Sequence, residues 1–512
     1  MRYPSQLPHL IGAAFCFLLA QAAPAQVATL VSPNPDVPVG SEFGESSGSV
    51  RDVDGDGVAD IFVGAPSENI PNAGLPTGRV HIFSGATHAL IHTLMLPEFQ
   101  FNSGFGASVA PLADVDGDGR GDLLVTAIGQ IPPPGVGSGG RVHLYSGASG
   151  EWLAQFHGDP DPATFCSFGA LVIAVPDRDS GLLQDAGIVA DGLDCNYFRS
   201  YSTETGQVLM HAAPYLGSIR SAAVTGDLDG DGVAEIALGM PGARDFAGDP
   251  RRGRVFIVSG ATGEVLRTLA GPGESSGGFG ISVARIEDLD GDGFSDLVVG
   301  ANASVAPGAP SGSGLTHIFS GLTGNLIRTL RAPVPRQGAW FGLVVVPQDD
   351  LDGDGREDLL VTAYNESPPG LPGQAGAAYL FSGATGEHLR TLHSPNPQLR
   401  GWFGERAGRF SEHRDNGRAT IGVAAPSEWG NRGRVYLFAS CRADTNADGL
   451  INSGDISHFL TGWVRTVGSP PGALPPPGVH TGDYNGDGSI NSADISAFLS
   501  AWLDAVVVGG CP

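Results

Sequence analysis

Positive charge is scarce in this chain of 512 residues: Lys and Arg total 28 against 54 Asp and Glu, a formal net charge of −26. Phosphate backbones are held by clustered basic side chains, so this balance argues against nucleic acid as a partner. Long apolar runs are missing as well. Beyond residue 26 no segment approaches the roughly 18 consecutive apolar residues of a spanning helix, so no membrane span is expected in the mature chain. Helical periodicity is absent before residue 455. Catalytic signatures are absent too: there is no G-x-S-x-G and no H-E-x-x-H, and the 13 His are scattered.

Cysteine is sparse, five in all, and Cys16 falls in an N-terminal stretch of different character. MRYPSQLPHLIGAAFCFLLAQAAPAQ has one Arg, an apolar run from Leu10 to Ala20, and Ala23-Pro24-Ala25 as a small-residue cleavage signal. Residues 1–25 therefore read as a secretory signal peptide, and a secreted or cell-surface protein is expected. Its removal leaves Cys166, Cys195, Cys441 and Cys511, an even number that favours two disulfides in an exported chain. Three pairings are open. Cys166 with Cys195 and Cys441 with Cys511 are preferred because each pair then lies within one module.

What is abundant is acid in a fixed arrangement. DVDGDGVAD (52–60), DVDGDGRGD (114–122), DLDGDGVAE (227–235), DLDGDGFSD (288–296) and DLDGDGRED (350–358) share one pattern, and DRDSGLLQD (177–185) is a degraded sixth copy. Spacings between first residues are 62, 63, 50, 61 and 62, a period that marks a repeat architecture. Unit charges about 4 Å apart repel by about 1 kcal/mol even in water, so such clusters need a counter-ion. A hard cation supplies it. Calcium takes six to eight oxygens, and carboxylates at loop positions 1, 3, 5 and 9 with the carbonyl at 7 can encircle it, the glycines at 4 and 6 making the turn. The expected ligands are Asp52, Asp54, Asp56, the Val58 carbonyl and Asp60; Asp114, Asp116, Asp118, the Arg120 carbonyl and Asp122; Asp227, Asp229, Asp231, the Val233 carbonyl and Glu235; Asp288, Asp290, Asp292, the Phe294 carbonyl and Asp296; and Asp350, Asp352, Asp354, the Arg356 carbonyl and Asp358. No His or Cys lies in these loops, which disfavours zinc and copper.

Other features recur in phase. Phe-Gly precedes the loops at Phe43, Phe105, Phe168, Phe279 and Phe341, and again at Phe403 without a loop behind it. After each loop come apolar runs such as DIFVGAP, then GRVHIFSG, then LIHTL, all bounded by Gly and Pro, so each unit holds four strands. Seven such units imply an all-β fold, a seven-bladed β-propeller over residues 26–440. The last unit stops at GRVYLFASC, while VATLVSPNP (27–35) nearly repeats the LRTLHSPNP (389–397) that ends unit six. The N-terminal segment is therefore expected to supply the missing fourth strand. The face opposite the loops carries Gly/Pro-rich connections, where Arg244, Phe246, Arg251, Arg252 and Trp429, with Trp340 and Trp402 nearby, are the most contact-capable side chains.

Phe-Gly, a D-x-D-G-D-G-x-x-D loop and Gly64-Ala65-Pro66 together resemble the FG-GAP repeat of integrin alpha-subunit propellers. The resemblance implies about five calcium sites, a sixth if the 177–185 loop takes an ion, and an extracellular protein or glycan ligand on one face.

After Cys441 the rhythm changes. Asp444, Asn446, Asp448, the Leu450 carbonyl, Asn452 and Asp455, then Asp483, Asn485, Asp487, the Ser489 carbonyl, Asn491 and Asp494, have the spacing of EF-hand loops with Asp at position 12. Each runs into a short amphipathic stretch, Ile456, Phe459, Leu460, Trp463 and Ile495, Phe498, Leu499, Trp502. The duplicated loop-helix pattern over 441–512 resembles a dockerin, which implies two more calcium ions and a cohesin-like partner read by Ser453 and Gly454 and by Ser492 and Ala493. The leading reading is a secreted, calcium-binding adhesion or scaffold protein tethered by its tail. The alternative is a dockerin-bearing extracellular polysaccharide-degrading enzyme, a glycoside hydrolase or lyase, on a propeller scaffold.

Overall fold

The computed structural model describes residues 26–34, 40–69, 76–98, 100–131, 139–158, 166–178, 184–192, 196–213, 217–243, 253–272, 277–352, 354–410, 414–415 and 418–439, with positions 460, 495, 496 and 499 beyond them. Those last four positions are helical, and Leu460 and Leu499 are exposed. The expected signal peptide, both EF-hand-type loops, the cohesin-reading residues, and Cys195, Cys441 and Cys511 lie outside the described residues.

The strands fall into seven antiparallel sheets. Blade one is Ser46–Val50, Asp60–Ala65, Arg79–Phe83 and Leu90–Leu94; blade two is Phe105–Leu112, Asp122–Ala127, Arg141–Tyr145 and Trp152–Phe156. Blade three is Cys166–Val175, Asp185–Gly192, Tyr197–Tyr201 and Val208–Ala212; blade four is Ser221–Val224, Ile236–Met240, Arg254–Val258 and Val265–Ala270. Blade five is Phe279–Ile286, Asp296–Ala301, Leu315–Phe319 and Leu326–Leu330; blade six is Val345–Gln348, Asp358–Ala363, Ala377–Phe381 and His388–Leu392. Blade seven combines Arg406–Gly408, Arg418–Ala424 and Val435–Ala439 with Gln26–Leu30, and Arg414–Asp415 forms a small hairpin on it. Thr29 pairs with Tyr436 and Leu30 with Val435, so Gln26–Leu30 is the fourth strand of the last blade.

Seven apolar clusters hold the ring, each lying between two consecutive blades, and the last joins Leu30, Val435 and Leu437 to Ile61, Val63 and Phe83 of blade one. Closure therefore has an apolar seam as well as backbone pairing. Second strands are packed on both faces, which is why DIFVGA and DLLVTA are unbroken apolar runs and are buried throughout. Fourth strands form the rim and leave Leu90, Trp152, Val208, Val265 and Leu326 exposed.

The two repeated glycine positions have separate reasons. Gly106 of the second Phe-Gly has φ +90°, and a Cβ there would lie 2.6 Å from the Arg79 carbonyl of blade one. Gly64, in the Gly-Ala-Pro, lies so close to blade two that a Cβ would be 2.1 Å from the Gly106 carbonyl. Both are points where one blade's backbone touches the next. The preceding Phe fills the blade interior: Phe43, Phe105, Phe279, Phe341 and Phe403 are fully buried and meet Phe83, Tyr145, Phe319, Phe381 and Phe438 edge-on, at centroid distances of 5.8 to 6.2 Å. Burying each contributes about 2 to 3 kcal/mol.

Candidate metal centres

Each acidic loop joins the first strand of its blade to the second, so all of them sit on one face. The turn is built by the acids themselves. At position 1, Asp114 Oδ1 accepts the Gly117 N–H at 2.6 Å and Oδ2 the Gly119 N–H at 2.7 Å, and Asp52, Asp227 and Asp288 repeat this arrangement. Position 3 accepts the N–H of position 5, as in Asp54 with Asp56 at 3.1 Å and Asp229 with Asp231 at 3.1 Å. The curl brings carboxylate oxygens together: Asp52, Asp54 and Asp60; Asp114, Asp116 and Asp122; Asp288, Asp290 and Asp296; Asp350, Asp352 and Asp358; and Asp227, Asp229, Asp231 and Glu235 each place ligand atoms within 4.8 Å of one another.

Position 5 divides the loops. Asp231 joins its cluster, whereas Asp56, Asp118, Asp292 and Asp354 stand outside theirs. Their Oδ1 accepts the N–H of Val58, Arg120, Phe294 and Arg356, and in three of them Oδ2 accepts a hydroxyl from Ser146, Ser320 or Ser382 at the turn after the third strand.

Position 9 is a buried clamp. Asp60 accepts from the Val53 N–H at 2.6 Å and the Gly85 N–H at 2.8 Å, tying the loop to the turn between strands three and four, and Asp122, Asp296 and Asp358 do the same. Glu235 accepts from the Leu228 N–H, and its Oε1 is buried without a partner. Burial, helped by neighbouring carboxylates, pushes Asp122 and Asp296 up to about 6 and Glu235 up to about 7, and raises Asp60 and Asp358 as well. Burial also raises Asp288, but the N–H groups of Gly293, Gly291 and Asp292, with Arg356, outweigh it and hold that carboxyl below its usual range. An orphaned buried oxygen and ionisation-resistant acids amid all-oxygen donors fit a hard divalent cation.

In blade three Asp185 accepts the Arg178 N–H at 3.1 Å, the same clamp, but no cluster forms there among the described residues. Cys166 is disulfide-bonded.

Two sets of functional side chains are absent from a reading by motif. Arg120 and Arg356, at position 7, reach back to the preceding blade's loop: Arg120 Nη1 lies 2.7 Å from Asp52 Oδ2, and Arg356 Nη1 donates to the Asp288 carbonyl at 2.8 Å. On the opposite face, buried Glu68, Glu366 and Glu428 bind inter-blade relays. Glu68 meets Ser32 and His81; Glu366 meets Arg336 and Tyr379; Glu428 meets Ser394 and Tyr436. Burial raises Glu366 and Glu428. The repeats PSEN, NES and PSEW, and SPNP at 32–35 and 394–397, are the visible trace of these relays. Trp340, Tyr364 and Trp402 form a ladder with centroids 5.5 and 5.9 Å apart, while Arg244, Phe246, Arg251 and Arg252 lie outside the described residues.

The FG-GAP repeat model matches residues 43–83, 105–145, 220–258, 279–319 and 343–381, which are blades one, two, four, five and six. Integrin alpha-5 of Xenopus laevis is 32% identical over 39% of this chain and 20% of its own length, and human integrin alpha-IIb is 33% identical over 34% and 16%. Rat integrin alpha-7 is 27% identical over 54% of this chain and 19% of its own length. The chain thus spans about a fifth of these relatives. No helix among the described residues is long and apolar enough to cross a membrane. Repeat matches, relatives and blade architecture agree: this chain carries FG-GAP repeats in an integrin-alpha-like propeller.

Proposed function

We propose that the protein is a secreted, calcium-stabilised binding scaffold whose propeller presents an extracellular ligand surface opposite the metal loops and whose C-terminal segment tethers it to a cohesin-type partner. The convergence of carboxylates in blades one, two, four, five and six, each cluster built on one buried acid, carries the first part. Calcium would neutralise the carboxylates where they converge. Asp52, Asp114, Asp227, Asp288 and Asp350 pre-shape each turn, the position-9 acids pin it to the neighbouring turn, and the ion face becomes a rigid base. The connections on the other face are then held still for binding. Likeness to integrin alpha chains supports an adhesive role, and the paired twelve-residue loops of 444–455 and 483–494 support the tether.

The test is calorimetric. Demetallated full-length protein should take up about seven calcium ions, five in the propeller and two in the tail, with a rise in melting temperature. An unaltered melting curve and no heat of uptake would sink the reading. Capture of a cohesin by the intact chain, abolished by Asp444→Ala together with Asp483→Ala, would test the tether.

A further inference from the structure

Blade seven departs from its siblings on the face opposite the metal loops. The connection between its second and third strands is short, and Trp429, Gly430 and Asn431 have φ of +57°, +70° and +63°, three left-handed residues in succession. For Trp and Asn this costs of order 1 kcal/mol each, a strain that persists only where surrounding contacts impose it. Those contacts are present. The Trp429 N–H donates to Gln398 Oε1 at 3.0 Å, the Asn431 carbonyl accepts the Glu42 N–H at 2.9 Å, the Arg432 carbonyl accepts the Ser41 hydroxyl at 2.8 Å, and Glu428 is anchored by Ser394 and Tyr436.

The result is an indole held out from the surface, 50% exposed. Arg434 lies over the ring with its guanidinium carbon 4.6 Å from the centroid. Beside it a groove of about 290 Å³ runs between this turn and the segment leaving the N-terminal strand, lined by Val31, Asn34, Trp429, Arg432 and Arg434. Neither guanidinium is within ion-pair distance of a carboxylate among the described residues, although the charge of Arg434 is felt by buried Glu428, in a chain where acids outnumber bases 54 to 28.

We infer that this groove binds an acidic sugar, a uronate residue of an anionic glycan. A planar carboxylate matches the guanidinium fork, and the free indole face offers a flat apolar platform for the C–H face of a pyranose ring. A carboxylate on a peptide would use the arginines but needs no such platform, and a neutral sugar would use the platform and leave the arginines idle. The inference rests on the proposed role of this face as the ligand surface and names the site and ligand class within it.

Calcium-saturated full-length protein is titrated with a tetrasaccharide of alternating glucuronate and N-acetylglucosamine, with the same tetrasaccharide after carboxyl reduction, and with an Asp/Glu tetrapeptide. The uronate form should bind, the reduced form should bind about tenfold more weakly or worse, and Trp429→Ala and Arg432→Ala should each weaken uronate binding by about tenfold or more. Both side chains are exposed, so melting temperatures should not move, which separates a lost contact from a lost fold. No heat with the uronate, an unchanged affinity in Trp429→Ala, or tighter binding of the tetrapeptide would overturn the assignment. Any of these with calcium-dependent stability intact would leave the calcium scaffold standing; loss of that dependence would instead overturn the scaffold.

Discussion

A single side chain shows how the repeats have diverged. Buried His81 and His143 each give Nε2 a partner, Glu68 and Gln130, but in blade five Ser304 stands at the equivalent position and His317 Nε2 is buried with none. Burial lowers His317 to about 4, so it is neutral at pH 7. Ser304→Gln, copying blade two, should pair it and raise stability by about 1 kcal/mol, read as a higher urea midpoint; a lower midpoint would count against the relay. The reverse change at Glu428 should hurt. Glu428→Ala would leave the Ser394 and Tyr436 hydroxyls buried without their acceptor, at about 2 to 3 kcal/mol.

At the scale of the element, the loops are not equivalent. A Cβ at Gly55 would lie 2.4 Å from Arg120 Nη2, whereas the matching Gly117, Gly230 and Gly291 meet nothing within 4 Å. Arg120 lies over the blade-one loop and pairs with Asp52, a cation already seated where another is expected. Arg120→Ala should therefore tighten calcium binding at blade one by about tenfold, resolved by titration against an Asp52→Ala control; equal affinity in both backgrounds would refute it. The loops themselves were legible, because every ligand of a loop lies within nine residues. The position-9 clamp on Gly85 and the reach of Arg120 to Asp52 were not, since their partners are 25 and 68 residues away and carry no local pattern. Nor does spacing reveal that Asp118 and Asp292 turn toward Ser146 and Ser320 instead of their clusters. Ring closure was legible only because VATLVSPNP nearly duplicates another stretch of the same chain.

For the molecule as a whole, the raised acids set a pH response. Asp122, Asp296 and Glu235 hold protons more tightly folded than unfolded, so their ionisation penalty is absent below the ordinary carboxyl range, grows between about pH 4 and 7, and is complete above. Metal-free protein should therefore melt higher as pH falls from 7 toward 5. With calcium bound the carboxylates are favoured as anions, and acidification should lower the melting temperature. Thermal scans in chelator and in calcium should slope in opposite directions; parallel slopes would mean that these acids are not the ligands. All 28 basic residues are arginine, so the chain has no lysine, and each base can fork onto backbone carbonyls, as Arg267 and Arg328 do across neighbouring blades.

The pairing of Gln26–Leu30 with Val435–Ala439 gives time a direction in this protein. Made from the N-terminus onward, the chain produces Gln26–Leu30 more than four hundred residues before the strand that it pairs with. Six blades can mature while its backbone groups wait without their sheet partner, and Leu30 has only the blade-one half of its cluster to pack on. Refolding should end in a slow step that a chain lacking residues 26–34 never takes.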